Sequence, residues 1–544
     1  MLPRATTLMN RHPLCFLGGP ALLLLVAAAA VPTPSIAGPA EPGPGLHYYY
    51  PVPAAKDPLA VEADVCVYGG TPGGVMAAVQ AGRMGKKTVL VVFRRHVGGM
   101  TSGGLTATDV GNAASIGGLA AEFYRRVGKQ RGFRPSEAEK TFLDMLKDAG
   151  VTVFFERRLK DVVKDGACIT TLRAENGDAF KATVFVDATY EGDLLAAAGV
   201  SFTVGREGND KYGESHNGAY FGPGHTFSVK VDPYKEEGKK ESGLLWGISP
   251  DPPGEVGRGD KRVQAYNFRM WLTDAADRLP FPKPAGYDRD RYALLLRYLK
   301  KQPKPAMPFQ LDRGDCNNNG GFSTDCIGGS DAWPEADCAA REKIFQDHVN
   351  YQQGLMWFMA NDPDVPDELR SKVRAFGLPK DEFPETGGWP HELYVREGRR
   401  MIGVYVMTEK NCSGEATVDD SVGLASYGMD SHNCERNVED GAVRNEGDVQ
   451  IPVRRPYPVS YRSLVPREEE CSNLLVPVCV SASHIAYGSI RMEPVFMILG
   501  QSAGTAAALA ADGKTSVQKV DYPKLRERLL ENKQILKWDA PPGR

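Results

Sequence analysis

Histidines and arginines in the last third of the chain carry the side-chain chemistry of proton transfer and anion binding. Histidine accepts or donates a proton near neutral pH, and His432 is the preferred general base because Asp430, two residues earlier, can orient or charge it. Arginine presents a planar fork of donors that suits a carboxylate, phosphate or sulfate. The predicted catalytic residues are His432, Arg396, Arg400 and His391, and His484 and Arg399 lie in similar loop-like sequence.

Each of these residues also has a structural interpretation. A single histidine more often holds a structural hydrogen bond, and the arginines can pair with Glu392 and Glu397 or line a cofactor. The residue types therefore supply candidates for catalysis. Which of these side chains lie close together depends on the secondary-structure elements that position them.

A glycine-rich turn near residue 70 begins the part of the chain that could do this positioning. Residues 61–68 have the pattern of a buried strand, and Gly69, Gly70, Gly73 and Gly74 follow it closely. Residues 75–84 predict a helix ending near Gly85, and residues 88–93 predict a second strand. A unit of this length is typical of dinucleotide binding, because glycines allow a tight turn and the helix start faces a pyrophosphate.

Two residues depart from the usual dinucleotide pattern. Thr71 occupies the place of the second glycine, so the backbone must approach the phosphates past a side chain, or the hydroxyl must help to bind them. Val92 lies at the end of the second strand, where an acidic residue usually holds the ribose hydroxyls. The contact to the ribose is therefore in doubt.

Three further segments strengthen the prediction of a nucleotide site. Residues 96–104 place four glycines within seven residues, where the backbone must approach something flat or charged. Residues 184–193 predict a buried strand and a polar turn that opens a helix at Leu194. Residues 473–478 predict another strand, which leads through a charged turn at 488–493 to a helix with Gly500, Ala503, Gly504 and Ala507 on one face. Such small residues mean that something packs close to that backbone.

The overall composition limits the function classes. The chain has 544 residues, with 65 lysines and arginines against 68 aspartates and glutamates. This balance excludes a basic nucleic-acid binder, and the composition excludes a disordered chain and a multi-span membrane protein. The length predicts two or three domains.

The amino terminus has the pattern of an export signal. Arg4 and Arg11 precede an apolar run over residues 14–31, and a small-residue site ends at Ala37, where cleavage is expected. Residues 1–37 are therefore predicted to be a signal peptide and residues 38–60 a proline-rich linker, with an uncleaved membrane anchor as the open alternative. We expect a periplasmic or extracellular protein with no stable membrane insertion after cleavage.

The cysteines are too sparse for a disulfide scaffold. Cys66 lies in the first predicted strand and is expected to be a buried thiol. The absence of a Cys-x-x-Cys sequence disfavours a zinc knuckle and a thioredoxin-type couple, and no metal site is predicted. Seven others lie in loop-rich sequence and could form bridges: Cys316, Cys326, Cys338, Cys412, Cys434, Cys471 and Cys479.

Taken together, these motifs resemble the FAD-dependent oxidoreductase family with a glutathione-reductase-type flavin fold, in the branch related to fumarate reductase flavoproteins. The resemblance covers most of residues 61–515 and includes residues 394–401 and 488–494 besides the segments above. It implies an α/β fold: an FAD-binding Rossmann-like domain with mixed sheets, interrupted by an α+β substrate or cap domain. The implied FAD-binding domain comprises residues 61–205 and 456–544, and the insert comprises residues 206–455.

The resemblance also implies which residues contact FAD. The turn and helix after residue 68 would hold the pyrophosphate, and residues 98–102 would run along the ribityl chain and ring. Residues 500–504 would direct helix amides towards N1 and the C2 carbonyl of the flavin, where the reduced ring carries negative charge. The implied contact set is Gly69, Gly70, Thr71, Gly73, Gly74, Gly98, Gly99, Met100, Thr101, Ser102, Ala188, Thr189, Arg491, Gly500, Ala503 and Gly504.

The expected chemistry is hydride transfer between a small-molecule substrate and flavin N5. We expect a hydroxylated substrate, such as a sugar or polyol, whose hydroxyl proton a histidine would take. Electrons would pass to or from oxygen, a quinone or an external redox protein. Two alternatives stay open: a flavin-dependent reductase of an unsaturated carboxylic acid, whose carboxylate the arginines would bind, and a secreted FAD-fold binding protein without activity.

Overall fold

A seven-stranded sheet forms the centre of the protein in the computed structural model, which describes residues 45–539. The remaining strands pair in short two-stranded ribbons. The strands are β1 Ala60–Tyr68, β2 Thr88–Val91, β3 Thr152–Phe154, β4 Leu159–Asp165, β5 Cys168–Ala174, β6 Ala179–Asp187, β7 Phe202–Thr203, β8 Met270–Leu272, β9 Gly314–Cys316, β10 Arg400–Met401, β11 Ser421–Ala425, β12 Met429–Ser431, β13 Glu435–Glu439, β14 Ala442–Glu446, β15 Val449–Ile451, β16 Tyr457–Ser460 and β17 Leu474–Leu475.

The central sheet is mixed. Strands β3, β2, β1 and β6 run parallel in that order, and β5 and β4 continue the sheet as an antiparallel hairpin. Strand β17 pairs in parallel with the last residues of β6, beyond the point where β5 leaves it. The predicted Rossmann-like α/β fold with mixed sheets is therefore confirmed.

Helices pack against the sheet and supply the longest elements of the insert. The longest is a 24-residue helix that starts at a thiol, Cys338. The helices are α1 Pro72–Arg83, α2 Gly99–Ser102, α3 Gly118–Val127, α4 Pro135–Asp148, α5 Asp193–Ala197, α6 Asn209–Tyr212, α7 Ala293–Lys301, α8 Cys338–Asn361, α9 Asp367–Arg374, α10 Glu409–Ser413, α11 His484–Ile490, α12 Glu493–Gly513 and α13 Tyr522–Glu531.

The first strand, turn and helix follow the prediction, with shifted ends. Helix α1 begins at Pro72, three residues earlier than predicted, because Thr71 caps it and proline suits the first helical position. Strand β2 ends at Val91 rather than at residue 93. The charged turn predicted at 488–493 is shorter in the structure, where only Arg491 and Met492 connect α11 and α12. Gly488 lies within α11, and a Cβ atom there would be 2.7 Å from the Asp430 carbonyl oxygen.

The stripe of small residues on α12 packs against α1. A Cβ atom on Gly500 would overlap the carbonyl oxygen of Gly73, and one on Gly504 would overlap that of Ala77. The two helix backbones can approach this closely only because these positions lack side chains. Among the helices of residues 45–539, α12 alone is long and apolar enough to cross a membrane, but 89% of its most apolar window is buried inside the protein.

The predicted insert, residues 206–455, contains helices α6–α10 and strands β8–β15. This agrees with an α+β composition, and the domain boundaries stay a prediction. The predicted signal peptide lies outside the described residues, and of the predicted linker only residues 45–60 are described.

Six of the seven cysteines that could form bridges are free thiols in the described part of the chain: Cys316, Cys326, Cys338, Cys412, Cys434 and Cys479. Several lie in regular elements and not in loops: Cys316 ends β9, Cys338 starts α8 and Cys412 lies in α10. Cys66 is buried in β1, as expected.

Candidate active site

The carboxyl ends of β1, β2 and β6 meet at one edge of the sheet and border a cleft. Five residues of the predicted contact set line it, namely Gly69, Gly70, Thr71, Gly99 and Thr189. The other lining residues are Tyr48, Tyr68, Val92, Phe93, Arg94, His96, Tyr190, Glu191, Asp193 and Glu392.

Gly69 and Gly74 are needed where α1 and the end of β6 cross. Gly69 has a φ of +112°, and a Cβ atom there would lie 2.5 Å from the carbonyl carbon of Ala188. A Cβ atom on Gly74 would overlap the carbonyl oxygen of Gly69. Both positions therefore require glycine, and the peptide backbone itself forms this part of the cleft.

The Thr71 hydroxyl is engaged inside the protein. It donates a hydrogen bond to the Ala188 carbonyl at 2.7 Å and accepts one from the Gly74 N–H at 3.2 Å. Thr71 is thus the N-cap of α1 and ties the turn to the end of β6. The side chain at the place of the second glycine is accommodated because it points into these contacts.

The second glycine-rich segment is held against Tyr190 and Glu493. A Cβ atom on Gly99 would overlap the Tyr190 hydroxyl, which accepts a hydrogen bond from the Met100 N–H at 2.9 Å. Tyr190 in turn donates to Glu493 at 2.8 Å, and Thr101 donates to the other oxygen of the same carboxyl at 3.0 Å. Burial raises the pKa of Glu493 to about 8, which favours the neutral form of this carboxyl group.

Other residues of the predicted contact set have internal roles. The Ser102 hydroxyl donates to the Val97 carbonyl at 2.6 Å, next to the left-handed Gly98. Gly73 packs beneath α12. Gly500, Ala503 and Gly504 lie in the interior of α12 and not at its first turn, so the structure gives the stripe a role in helix packing.

His432 is held by Asp325, not by Asp430. Its Nδ1 atom lies 2.7 Å from the Asp325 carboxylate, whereas its Nε2 atom is 3.8 Å from Asp430, beyond hydrogen-bond distance. The prediction that Asp430 orients His432 is therefore wrong, because the fold brings in a carboxylate from 107 residues earlier. Burial and the nearby Arg396 guanidinium lower the pKa of His432, which favours the neutral imidazole.

Three buried arginines surround Tyr394, and each is paired with its own aspartate. We call these six charged residues the arginine–aspartate cluster. Arg269 forms two hydrogen bonds with Asp315, at 2.7 and 2.9 Å. Arg396 lies 3.0 Å from Asp325 and 4.8 Å from the centre of the Tyr394 ring. Arg491 donates to the Tyr394 hydroxyl at 3.0 Å and lies 3.3 Å from Asp430.

One loop connects the cleft with this cluster. The loop follows Gly99, which lines the cleft, and at Gly103 a Cβ atom would overlap the side chain of Glu392, another cleft residue. One residue later, a Cβ atom on Gly104 would overlap the carbonyl oxygen of Arg269 in the cluster. The glycines of this segment thus allow the backbone to pass tightly from one region to the other.

Arg400 is fully occupied by structural contacts. Its Nε atom donates to the Ala482 carbonyl, Nη1 donates to the Gly205 carbonyl and Glu397, and Nη2 donates to the Gly205 carbonyl and Glu207. A guanidinium has five N–H donors, so none remains for a substrate. Arg400 is therefore not catalytic, which corrects the prediction.

The neighbouring candidates Arg399 and His484 are also paired within the protein. Arg399 donates to Asp193 at 2.8 Å, and His484 Nδ1 lies 2.7 Å from Glu397.

His391 lies in a separate stack. Its ring stacks on that of His96, with centroids 3.8 Å apart, and Phe383 packs against its edge. Burial, followed by the charges of His96 and Arg94, lowers the pKa of His391 well below its usual range. The structure therefore does not bring His391 together with His432.

The sequence analysis missed Asp325, Tyr394 as the shared ring, and Tyr48 in the cleft. Asp325 lies just beyond a polar run and has no distinctive spacing to His432. Tyr48 lies in the predicted linker, where no packed residue was expected.

A family model described as FAD dependent oxidoreductase matches residues 64–529. Among curated proteins, none matches this sequence. The matched range includes the cleft from Tyr68 onwards and the whole arginine–aspartate cluster.

Solved structures share a part of the fold. THI4 from Thermovibrio ammonificans is 22% identical over 27% of this chain and 66% of its own, with a TM-score of 0.23. The 3-ketosteroid-delta4-(5alpha)-dehydrogenase from Rhodococcus jostii RHA1 is 14% identical over 27% of this chain and 51% of its own, with a TM-score of 0.20. The L-amino acid deaminase from Proteus vulgaris is 15% identical over 28% of this chain and 54% of its own, with a TM-score of 0.22. The alignments thus span about half to two thirds of those proteins.

Proposed function

Because the chain belongs to the FAD-dependent oxidoreductase family, we propose that it is an exported enzyme that oxidises a neutral, hydroxylated small molecule, with His432 as the base. Family membership gives an oxidoreductase with FAD as its cofactor, a small-molecule substrate and some electron acceptor. It also removes the alternative of a binding protein without activity. The class of substrate, the direction of the reaction and the export are our proposals.

The residues of the cleft fit FAD. Gly69 and Gly70 leave no room for a Cβ atom in the turn before α1, and the Thr71 side chain points into the protein, so the backbone of this turn can face a pyrophosphate closely. The buried guanidinium of Arg158, which has no hydrogen-bond partner among residues 45–539, lies beside the cleft residue Phe93. FAD, when bound, supplies the acceptor for the electron pair.

His432 is placed to take a proton. Asp325 accepts at Nδ1, which leaves the lone pair of the neutral imidazole on Nε2, facing Asp430. A substrate hydroxyl can therefore give its proton to Nε2 as the carbon it is attached to is oxidised. The positive charge that then develops on His432 lies between Asp325 and Asp430, which stabilise it.

The pairing of the three arginines is the observation that carries the choice of a neutral substrate. Arg269, Arg396 and Arg491 are each neutralised by an aspartate, and Asp109 adds a further carboxylate whose pKa burial raises. A carboxylate substrate would meet four aspartates beside three guanidinium groups and would be repelled or would have to displace one. A sugar or polyol has hydroxyl groups that both donate and accept, so it suits such alternating charges.

One observation favours the reductase of an unsaturated carboxylic acid as a second candidate. The Nε and Nη2 atoms of Arg396 are buried and make no hydrogen bond within residues 45–539. A substrate carboxylate could accept from both atoms in a bidentate contact. The ion pair with Asp325 weighs against this, since the carboxylate would compete with it.

Export and the electron partner rest on the sequence. The apolar run and the site at Ala37 support secretion, and oxygen, a quinone or an external redox protein would then take the electrons. A periplasmic or culture-medium location of the tagged full-length chain would support export, and retention in the cytoplasm would contradict it.

Anaerobic titration of the purified, FAD-loaded protein tests the reaction. Sugars and polyols are added to oxidised protein, and unsaturated acids are added to protein that has first been reduced with dithionite. We expect loss of the flavin colour with a hydroxylated compound, and loss at least 100-fold slower in His432→Ala. Return of the colour with an unsaturated acid, without bleaching by any hydroxylated compound, would establish the second candidate.

A further inference from the structure

Three consecutive tyrosines near the amino terminus pack over the dinucleotide edge of the sheet. We call residues 47–50 the tyrosine strap. Glu342 of α8 fixes it, because one carboxylate oxygen accepts from the Tyr48 and Tyr49 N–H groups at 2.8 Å and the other lies 2.7 Å from His47 Nδ1. The strap thus joins the insert to the sheet edge.

Tyr48 forms part of the cleft wall. Only 4% of it is exposed, and its ring lies 5.1 Å from that of Phe93 and 4.7 Å from that of Trp333. The Arg94 guanidinium lies 5.3 Å from the same ring. The rings of Tyr48 and Phe93 therefore both border the cleft at the end of β2.

Arg158 lies beside the cleft residue Phe93 and has no hydrogen-bond partner among the described residues. It is 1% exposed, and none of its Nε, Nη1 and Nη2 atoms makes a hydrogen bond. Its guanidinium is surrounded by the rings of Tyr50 at 4.3 Å, Tyr49 at 5.1 Å and Phe93 at 5.3 Å. Aromatic faces attract the cation but cannot accept its five directed N–H groups, so such a residue points to an absent acceptor.

The position of this group within the sheet identifies the acceptor. In a dinucleotide-binding unit, the adenosine ribose lies at the carboxyl end of the second strand, where an acidic residue usually holds its hydroxyls. Val92 occupies this position, and its side chain has no hydrogen-bond acceptor or donor. Arg158 follows β3, the neighbour of β2, and therefore lies at the same edge.

We propose that the tyrosine strap and Arg158 hold the adenosine end of FAD in place of the missing acidic residue. The strap supplies aromatic surface for the purine, and Arg158 supplies donors for oxygen and nitrogen atoms of the adenosine. This inference rests on FAD as the cofactor and not on the proposed substrate or on His432. Its test therefore fails or succeeds independently of the redox assay.

The first experiment compares two adjacent arginines. Arg158→Met removes the unpartnered guanidinium, and Arg157→Met is the matched control, because Arg157 pairs with Asp178 and donates to the Phe155 carbonyl. The dissociation constants for FAD and for ADP, which retains only the adenosine end, are measured by fluorescence and calorimetry. We expect both constants to rise at least tenfold in Arg158→Met and to stay within threefold in Arg157→Met. Unchanged constants in Arg158→Met would overturn the proposal.

The second experiment uses the unmodified protein, so it does not depend on folding of a variant. Chymotrypsin cleaves after tyrosine, and the rate of cleavage within the strap is measured with no ligand, with ADP and with FMN, which lacks adenosine. We expect ADP to slow cleavage at least fivefold and FMN to have no effect. Equal cleavage rates with and without ADP would overturn the proposal. Tighter FAD binding by the Tyr48→Ala variant would also overturn it, because the strap would then occupy the adenosine site instead of lining it.

Discussion

The glycine-rich edge of the sheet and the arginine–aspartate cluster are built in different ways. At the edge, Gly69, Gly74 and Gly99 matter because a side chain is missing, and their neighbours belong to segments that the motifs already identify. In the cluster, each charged side chain depends on a partner far away in the sequence: 46 residues separate Arg269 from Asp315, and 61 separate Arg491 from Asp430. A position that needs glycine can thus be identified locally, whereas the role of a charged residue depends on what neutralises it.

Arg396 and Arg400 show this difference within a single motif. The two residues have the same side chain, and both are completely buried. All five donors of Arg400 are bonded to the protein. Within residues 45–539, the Nε atom of Arg396 makes no hydrogen bond, and its Nη2 atom has only the ion pair with Asp325. Only the tertiary partners distinguish a structural arginine from one that can meet a substrate.

The largest expected effect comes from breaking the His432–Asp325 pair. Asp325→Asn removes the charge that orients and stabilises the imidazolium, and His432→Ala removes the base itself. General base catalysis contributes about 10²- to 10⁴-fold, so we expect kcat to fall within that range in both variants. Stopped-flow measurement of flavin reduction checks this. Asp430→Asn is the control, with a loss below tenfold, and a larger loss there would show that Asp430 is the orienting carboxylate after all.

The pH profile of the unmodified enzyme gives a second view of the same pair. Burial and Arg396 lower the pKa of His432, and only the neutral ring is a base. Activity should therefore persist as the pH falls through 6.5, the usual value for histidine, and decline only at lower pH. If kcat/KM already fell with decreasing pH above pH 7, this would contradict a lowered pKa of His432. Asp325 and Asp430 face His432, and Arg396 lies beside it. Variants of these three residues should therefore shift the pH at which activity declines.

Arg400→Met is expected to have the next largest effect, on stability. The substitution leaves Glu207 and Glu397 buried without their partner, and breaking a buried ion pair costs about 3–5 kcal/mol. Denaturant unfolding measures the loss. Arg396→Met serves as the comparison, because it is expected to lower turnover more than stability. If the Arg400→Met protein is stable but binds substrate more weakly, Arg400 belongs to the active site and its structural assignment is wrong.

A smaller effect tests the packing of α12 on α1. Gly504→Ala places a methyl group against the Ala77 carbonyl, and overpacking of this kind costs about 1–3 kcal/mol. Gly513→Ala, at the end of the same helix, would meet only Thr515 at 3.5 Å and should be nearly neutral. Thermal unfolding with and without FAD measures both variants. If Gly504→Ala lowers FAD affinity but leaves the stability of the apoprotein unchanged, the stripe contacts the cofactor.

Sequence alone predicted the first strand, turn and helix, the mixed α/β fold and five residues of the cleft. It succeeded there because tight turns and helix caps depend on neighbouring residues. It placed the stripe of α12 at the flavin, since a small-residue face cannot show whether its neighbour is a helix or a ligand. It also predicted that Asp430 orients His432, because Asp430 is the nearest carboxylate in the sequence. In the folded protein a different carboxylate, that of Asp325, lies nearer to His432.

The smallest expected effect concerns Thr71, which departs from the glycine pattern and yet serves the same edge. Thr71→Val keeps the shape but loses the hydrogen bonds to Ala188 and Gly74, and loss of an N-cap costs about 1 kcal/mol. Thr71→Ser keeps the hydroxyl and should differ little from the unmodified protein. Thermal unfolding of the apoprotein separates this loss from any change in FAD affinity. If the valine variant is equally stable but binds FAD more weakly, the Thr71 hydroxyl contacts the cofactor. The glycine-rich edge of the sheet would then depend on a side chain, as the arginine–aspartate cluster does.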